Sequence, residues 1–318
     1  MITPFKITYR DFSSLDFDCH VGLSFDGDDG EVSTFLGREA IYSETYDGSQ
    51  RKVYGYKYNE VLTPKITFIK QDYSDFTMEE NRKILAWITG GKTPSWLSIH
   101  PDDSATIEYE LLGNFTSCSQ YKMGNGRVIG YVCEFESISP YAYSPVETMV
   151  KTITEPTTIT LNCRSDEDSA YVYPKITIEE DISSVVVNIG SSLGSTILNN
   201  YIEGTVYYDG TNYYWKKDGT SYGPTSINVS GFNTTSVSIW NKTTSTKSNA
   251  TIIKNRARGE KIVIDGANKV ISTTSTAVIG DDFNWNWMPL AIGNNTIEII
   301  GNCKVTLEYR EPIKCGDL

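Results

Sequence analysis

Histidine is almost missing from this chain: two in 318 residues, His20 and His100, far apart and outside any recognisable motif. The six cysteines, at 19, 118, 133, 163, 303 and 315, include no Cys-x-x-Cys spacing. Zinc chemistry, which needs clustered Cys and His, is therefore not expected. The thiols read as reduced, with Cys133, Cys163 and Cys303 packing on inward strand faces. Positive charge is scarce, 28 Lys and Arg against 40 Asp and Glu, and a net charge of −12 argues against a nucleic-acid partner, which would require a basic face. The densest basic stretch is Lys254, Arg256 and Arg258, flanking a turn. No apolar run approaches the roughly 20 residues needed to span a bilayer. Met1 to Lys6 shows no basic segment leading into an apolar one, so no secretory signal is expected and the protein is read as made in a cytoplasm. A Gly-x-Ser-x-Gly elbow and a phosphate-cradling glycine loop are also missing. These absences point away from catalysis, and no cofactor is expected.

Tyrosine is abundant (21), as are glycine (25), threonine, serine and asparagine, the residues of pleated half-buried surfaces and the turns between them. Apolar and polar residues alternate along Ile107, Tyr109 and Leu111, with Glu108 and Glu110 on the other side. The same alternation runs through Ile129, Tyr131, Cys133 and Phe135 after the Gly124-Asn125-Gly126 turn. Ile297 and Ile299, then Gly301-Asn302, then Cys303, Val305, Leu307 and Tyr309 read as the two arms of a hairpin, and Asp265-Gly266 marks another tight turn. One segment is helical. Thr77 and Glu80 form a capping box, Ile84, Leu85 and Ile88 share a face opposite Asn81, Arg82 and Lys83, and Gly90-Gly91 ends the helix in a left-handed cap.

Length and pattern predict a mainly β protein of two β-sandwich-like domains, 1–145 with one docked helix at 77–90, and 146–318. The boundary falls at Pro140 to Pro145, where two prolines each remove a backbone donor and a sheet is not expected to run through. Strands resume over 157–163 and 171–178. Residues from about 186 to 232 differ in character and read as an insertion, with 207–215 a small self-contained hairpin.

Candidate sites are few. Asp26-Gly27-Asp28-Asp29-Gly30 hints at a calcium loop, but Gly37 stands at the twelfth position where a bidentate Glu belongs. The adjacent carboxylates Asp281-Asp282 and Glu179-Glu180 point oppositely on a strand and read as solvated edges. Phe283, Trp285 and Trp287 alternate with asparagines, so their rings are expected to share one core-facing side. Tyr213, Tyr214 and Trp215 sit in a segment poor in aliphatic residues and read as exposed aromatics, a candidate saccharide-stacking surface.

Two stretches carry a family resemblance. Residues 56–68 (Tyr-Lys-Tyr-Asn-Glu-Val-Leu-Thr-Pro-Lys-Ile-Thr-Phe) lead into the capped helix and Trp87, and the first half closes on Ser139-Pro140-Tyr141-Ala142-Tyr143-Ser144-Pro145. This order resembles the amino-terminal domain of the distal tail proteins of long, non-contractile-tailed bacteriophages, from a phage or prophage of a Gram-positive host. The runs 256–270 and 295–312 are similar to that family's galectin-like second domain. The resemblance implies a homo-hexameric ring of first domains that continues the tail tube at the virion tail tip, assembled in the host cytoplasm. The second domains would face outward and support host adhesion proteins. It implies as partners the major tail tube protein, the tape measure protein, a tail-tip or tail-associated lysin protein and a receptor-binding protein, with host cell-wall saccharide as a further partner and neither sequence-specific nucleic acid nor membrane insertion. A long polar hairpin region over 26–53 is expected to reach a neighbouring subunit. An acidic lumen would keep exiting DNA from adhering.

Overall fold

The computed structural model describes residues 4–24, 38–47, 50–58, 61–124, 126–153, 156–167, 170–179, 236–254, 260–274, 279–301 and 303–314. Between 184 and 230 it describes six strands. The expectations placed on Asp26 to Gly30, Arg256, Arg258, Glu180 and Cys315 lie outside the described residues. The chain forms two compact units, Met1–Pro145 with Glu311–Leu318, and Val146–Arg310. Both are built from antiparallel strands, as the alternating pattern requires.

In the first unit one sheet runs in the order Phe12–Ser13, Lys6–Tyr9, Ser95–His100, Tyr109–Lys122, Val128–Ser137, Lys65–Lys70 and Cys19–Ser24. Its two ends share a core: Ile7 and Tyr9 at one end belong to the same buried cluster as Cys19, Val21 and Leu23 at the other. The sheet therefore curls on itself around one apolar interior. The Ala142–Tyr143 strand pairs with Pro312–Ile313 and sets Tyr143 opposite Glu110. The Pro140 to Pro145 closure is thus part of the sheet system, contrary to the expectation from its prolines. Two residues between prolines are enough for a short strand, and serine hydroxyls serve the backbone around it. Ser139 N and Tyr141 N donate to the hydroxyls of Ser137 and Ser139 at 3.0 Å each, and Ser144 exchanges two 2.9 Å bonds with the Glu311 backbone. Residues 311–314, expected in the second half, accordingly group with the first.

The helix spans Met78–Thr89 with Thr77 as N-cap and both capping-box bonds present. Glu80 also receives Lys70 Nζ at 3.0 Å. Its buried face is Ile84, Trp87 and Ile88, while Leu85 is 39% exposed, so the expected face was off by one side chain. Gly90 is extended and Gly91, at φ +83°, takes the left-handed conformation. Trp87 fixes the docking. Its indole Nε1 donates to Tyr9 O at 2.7 Å, and its ring lies 5.1 Å from Phe17 and 5.5 Å from Phe68. Burying each such side chain contributes about 1.5–3 kcal/mol.

Glu110, expected on the solvent face, is 3% exposed and accepts Ser98 Oγ at 2.9 Å. His100 is also buried, with Nδ1 2.9 Å from Thr106 O and Nε2 3.2 Å from Thr8 Oγ1. Burial holds its imidazole below the ordinary histidine range. The folded state keeps the ring neutral while the unfolded chain takes up a proton near its usual value of about 6.5. Below that pH the unfolded state binds more protons, so this contribution is fully present above it and is lost as pH falls towards the depressed folded value. The urea midpoint of the first unit is expected to drop between pH 7.5 and 5.5, and His100→Asn should flatten that drop; an unchanged slope refutes the assignment.

In the second unit two sheets enclose one core. One runs Glu147–Ile153, Cys303–Tyr309, Lys175–Glu179, Ile262–Asp265, Val270–Thr273. The other runs Thr157–Cys163, Gly293–Ile300, Val237–Asn241, Thr251–Ile253. The expected hairpin at Gly301-Asn302 is not one. Gly293–Ile300 and Cys303–Tyr309 lie in opposite sheets, and Gly301, at φ +155°, carries the chain across. Both arms still bury their apolar side, because both sheets face the same interior. Val172, in the expected 171–178 strand, makes only an isolated bridge to Leu290 before the strand begins at Lys175. Between Lys175–Glu179 and Val237–Asn241 come two further three-stranded sheets: Ser184–Asn188 with Ser195–Asn199 and Asn228–Ser230, and Thr205–Tyr208, Tyr213–Lys217 and Thr220–Tyr222.

Candidate assembly surface

Arg38–Asp47 and Gln50–Tyr58 form a two-stranded sheet of their own, and among the described residues no third strand pairs with it. The register places Ala40 opposite Tyr56, Ile41 opposite Gly55 and Tyr42 opposite Val53. Tyr54 is the extra residue of a bulge, and Gly55, at φ +150°, supplies the backbone angle it requires. Opposed residues share a face, so Tyr42, Val53 and Tyr56 lie on one side and Ile41 on the other. All four are exposed, and Tyr54 is 65% exposed. Of the polar hairpin region expected over 26–53, residues 26–37 lie outside the described residues, and the strand pair that is described has apolar and aromatic residues showing on both faces.

Cations lie near these rings: Arg51 is 5.9 Å from the Tyr42 ring and Lys52 5.7 Å from that of Tyr54. Lys57 pairs with Glu39 at 3.0 Å. At the base, Tyr58 meets the family-like closure. Its ring lies 5.2 Å from that of Tyr141, and the Tyr141 hydroxyl donates to that of Tyr58 at 2.5 Å. Tyr141 is itself buried. The closing motif thus anchors the hairpin, a role that no local sequence pattern announces.

Tyr213, Tyr214 and Trp215 lie on the middle strand of their sheet, and the register sets Tyr208 opposite Tyr213, Tyr207 opposite Tyr214, and Tyr222 opposite Trp215. Their side chains lie outside the described residues. The Phe283, Trp285 and Trp287 expectation needs correction. Only Phe283 is fully buried; Trp287 is partly buried and Trp285 is 57% exposed. The segment is not a strand, and Trp285 has φ +59°, so a period of two does not apply. Asn284 holds the turn, accepting Ile252 N at 3.0 Å and donating to Ala250 O at 2.7 Å. Glu179 is engaged by Lys261 at 3.0 Å and Lys304 at 3.8 Å, which hold its carboxyl below the usual range. Among the described residues no three His, Cys, Asp or Glu side chains converge as metal ligands.

The SPP1 Dit protein (gp 19.1), a hub of the adsorption apparatus in phages infecting Gram-positive bacteria, is similar over 97% of this chain and 98% of its own, with TM-score 0.53 and 11% identity. At that identity the likeness is one of fold. A chain of the phage P2 baseplate in its activated conformation with calcium covers 99% of this chain and 100% of its own, with TM-score 0.47 and 9% identity. No curated protein matches by sequence. Residues 5–139 match the phage tail protein N-terminal domain, and residues 213–309, which take in the Tyr213–Lys217 strand, match the phage tail C-terminal domain. With both of its ends so matched, the chain belongs to the bacteriophage tail proteins.

Proposed function

We propose that this protein is a distal tail hub, a structural protein that forms a hexameric ring joining the tail tube to the tail tip or baseplate and that supports host adhesion proteins. The observation that carries the reading is the hairpin of Arg38–Asp47 and Gln50–Tyr58, which no third strand joins among the described residues. A two-stranded hairpin is marginal in water by itself, and one with apolar side chains on both faces calls for a neighbouring surface. A head-to-tail contact, in which the hairpin of one copy meets a different surface on the next, closes into a ring when the rotation allows. The hub described for SPP1 Dit shares this fold and supports the same reading. The first unit would make the ring, and the galectin-like second unit would hold adhesion proteins.

Electron microscopy of the purified full-length protein, with and without a tail tube protein and a tail-tip protein, tests this. Sixfold rings are expected. A protein that stays monomeric and joins neither partner overturns the proposal.

The aromatic register at Tyr213, Tyr214 and Trp215 favours a second, compatible reading, saccharide binding on the host cell wall. Changing all three to Ala is expected to reduce adsorption to host cells and to leave the rings intact. Unchanged adsorption rejects this reading.

A further inference from the structure

Two of the cysteines are neighbours. Cys118 and Cys133 stand directly opposite each other on Tyr109–Lys122 and Val128–Ser137, and their sulfurs are 3.0 Å apart. Opposed residues in an antiparallel pair have Cα atoms about 4.5–5.5 Å apart. That lies inside the range of about 4.4–6.8 Å that a disulfide spans, so the strand spacing permits the two to be joined. The pairing is fixed on either side: Ser117 lies opposite Glu134 and Ser119 opposite Val132, and Ser117 Oγ donates to Glu134 Oε2 at 2.9 Å.

The two thiols differ in access. Cys133 is fully buried in the core, whereas Cys118 is only partly buried and lies at the edge of that core. Cys133 donates to the Cys118 sulfur. That bond lowers the Cys118 thiol from its ordinary range against the opposing effect of burial, and the same bond together with burial holds Cys133 up. The reachable sulfur is therefore the one better able to become a thiolate, the form that attacks disulfides. Cys19 offers no such route. It is buried, it donates to Phe17 O at 3.3 Å, and burial pushes its thiol up to about 12.

We propose that Cys118 and Cys133 are a modification site, at which thiol–disulfide exchange with a small-molecule disulfide closes a cross-strand disulfide in the first unit. The Cys118 thiolate attacks one sulfur of oxidised glutathione, forming a mixed disulfide and expelling one glutathione thiolate. Cys133 then gives up its proton and attacks the Cys118 sulfur, expelling the second. Two protein thiols are oxidised and one small disulfide is reduced, and the two protons end on the two glutathione thiols. On the proposed function the chain would be assembled in a reducing host cytoplasm and act outside it, so the bond would form after release. It would then tie together the 14-residue and 10-residue strands of the sheet.

The test treats full-length protein with oxidised or reduced glutathione, blocks remaining thiols and maps peptides without reduction. The expected result is a Cys118–Cys133 cross-link two hydrogens lighter than the separate peptides, with Cys19 still blocked as a thiol. The oxidised protein should show a higher urea midpoint than the reduced one, and Cys118→Ser should show no shift. A glutathione adduct that persists at Cys118, cross-linking of another pair, or intact thiols after treatment would each overturn the proposal. The map on the unmutated chain decides even if the variant folds poorly.

Discussion

Replacing Trp87 with alanine is expected to destabilise the first unit by about 3–5 kcal/mol, the usual cost of truncating a buried tryptophan. The side chain is 4% exposed and closes the helix onto the sheet. Its loss would leave a cavity beside Phe17 and Phe68, which the curled sheet cannot fill without shifting strands on either side. It also removes the indole donor from Tyr9 O, a peptide oxygen in the core strand Lys6–Tyr9. Trp87→Phe keeps most of the ring and loses the donor, so its cost should be smaller, about 1–3 kcal/mol for the polar group alone. Leu85→Ala, two positions away on the exposed side of the same helix, should stay within about 0.5 kcal/mol. Denaturant unfolding with hydrogen exchange across residues 78–89 separates the three. A Trp87→Ala loss under about 1 kcal/mol would show that the indole does not hold the helix.

That contrast shows what the sequence could and could not convey. The capping box at Thr77 and Glu80 is a local device, and it forms as its spacing requires. Leu85 and Trp87 differ only in their angle around the helix, and a helix of 12 residues leaves that angle loosely set by pattern. In the sheets, alternation told which side of a strand is buried, and Ile297, Ile299, Val305 and Leu307 are buried accordingly. It carried no information about which strand lies alongside. A turn between two amphipathic arms looks the same whether they pair or cross between sheets, so the Gly301 crossing was misread as a hairpin. Pairing of Pro312–Ile313 with Ala142–Tyr143 joins residues about 170 apart and leaves no local trace. Glu110 was hidden for a different reason, since its burial depends on partners brought to it by the fold, the Ser98 hydroxyl opposite among them. At the candidate assembly surface a polar hairpin was expected over 26–53, and strands pair at Arg38–Asp47 and Gln50–Tyr58, but that no third strand joins them among the described residues is a fact of topology.

The tyrosines of that strand pair give the second large effect. Tyr42→Glu and Tyr54→Glu together are expected to abolish ring formation while leaving the fold of each unit intact. Both residues are at least half exposed, so charging them costs the isolated subunit little. In a ring they would be covered, and a carboxylate buried there without a partner is strongly unfavourable. Two central aromatic contacts are worth about 2 kcal/mol or more each. Their combined loss would weaken each contact by roughly three powers of ten, at about 1.4 kcal/mol for each tenfold change. A closed ring multiplies that effect, because every subunit makes the same contact with its neighbour. Sedimentation of the variant should give a monomer with an unchanged urea midpoint. Glu39→Gln, which removes only the exposed ion pair with Lys57, should leave rings in place, since such pairs contribute about 0–1 kcal/mol. Rings that survive Tyr42→Glu and Tyr54→Glu would move the contact away from the hairpin, to another surface of the first unit.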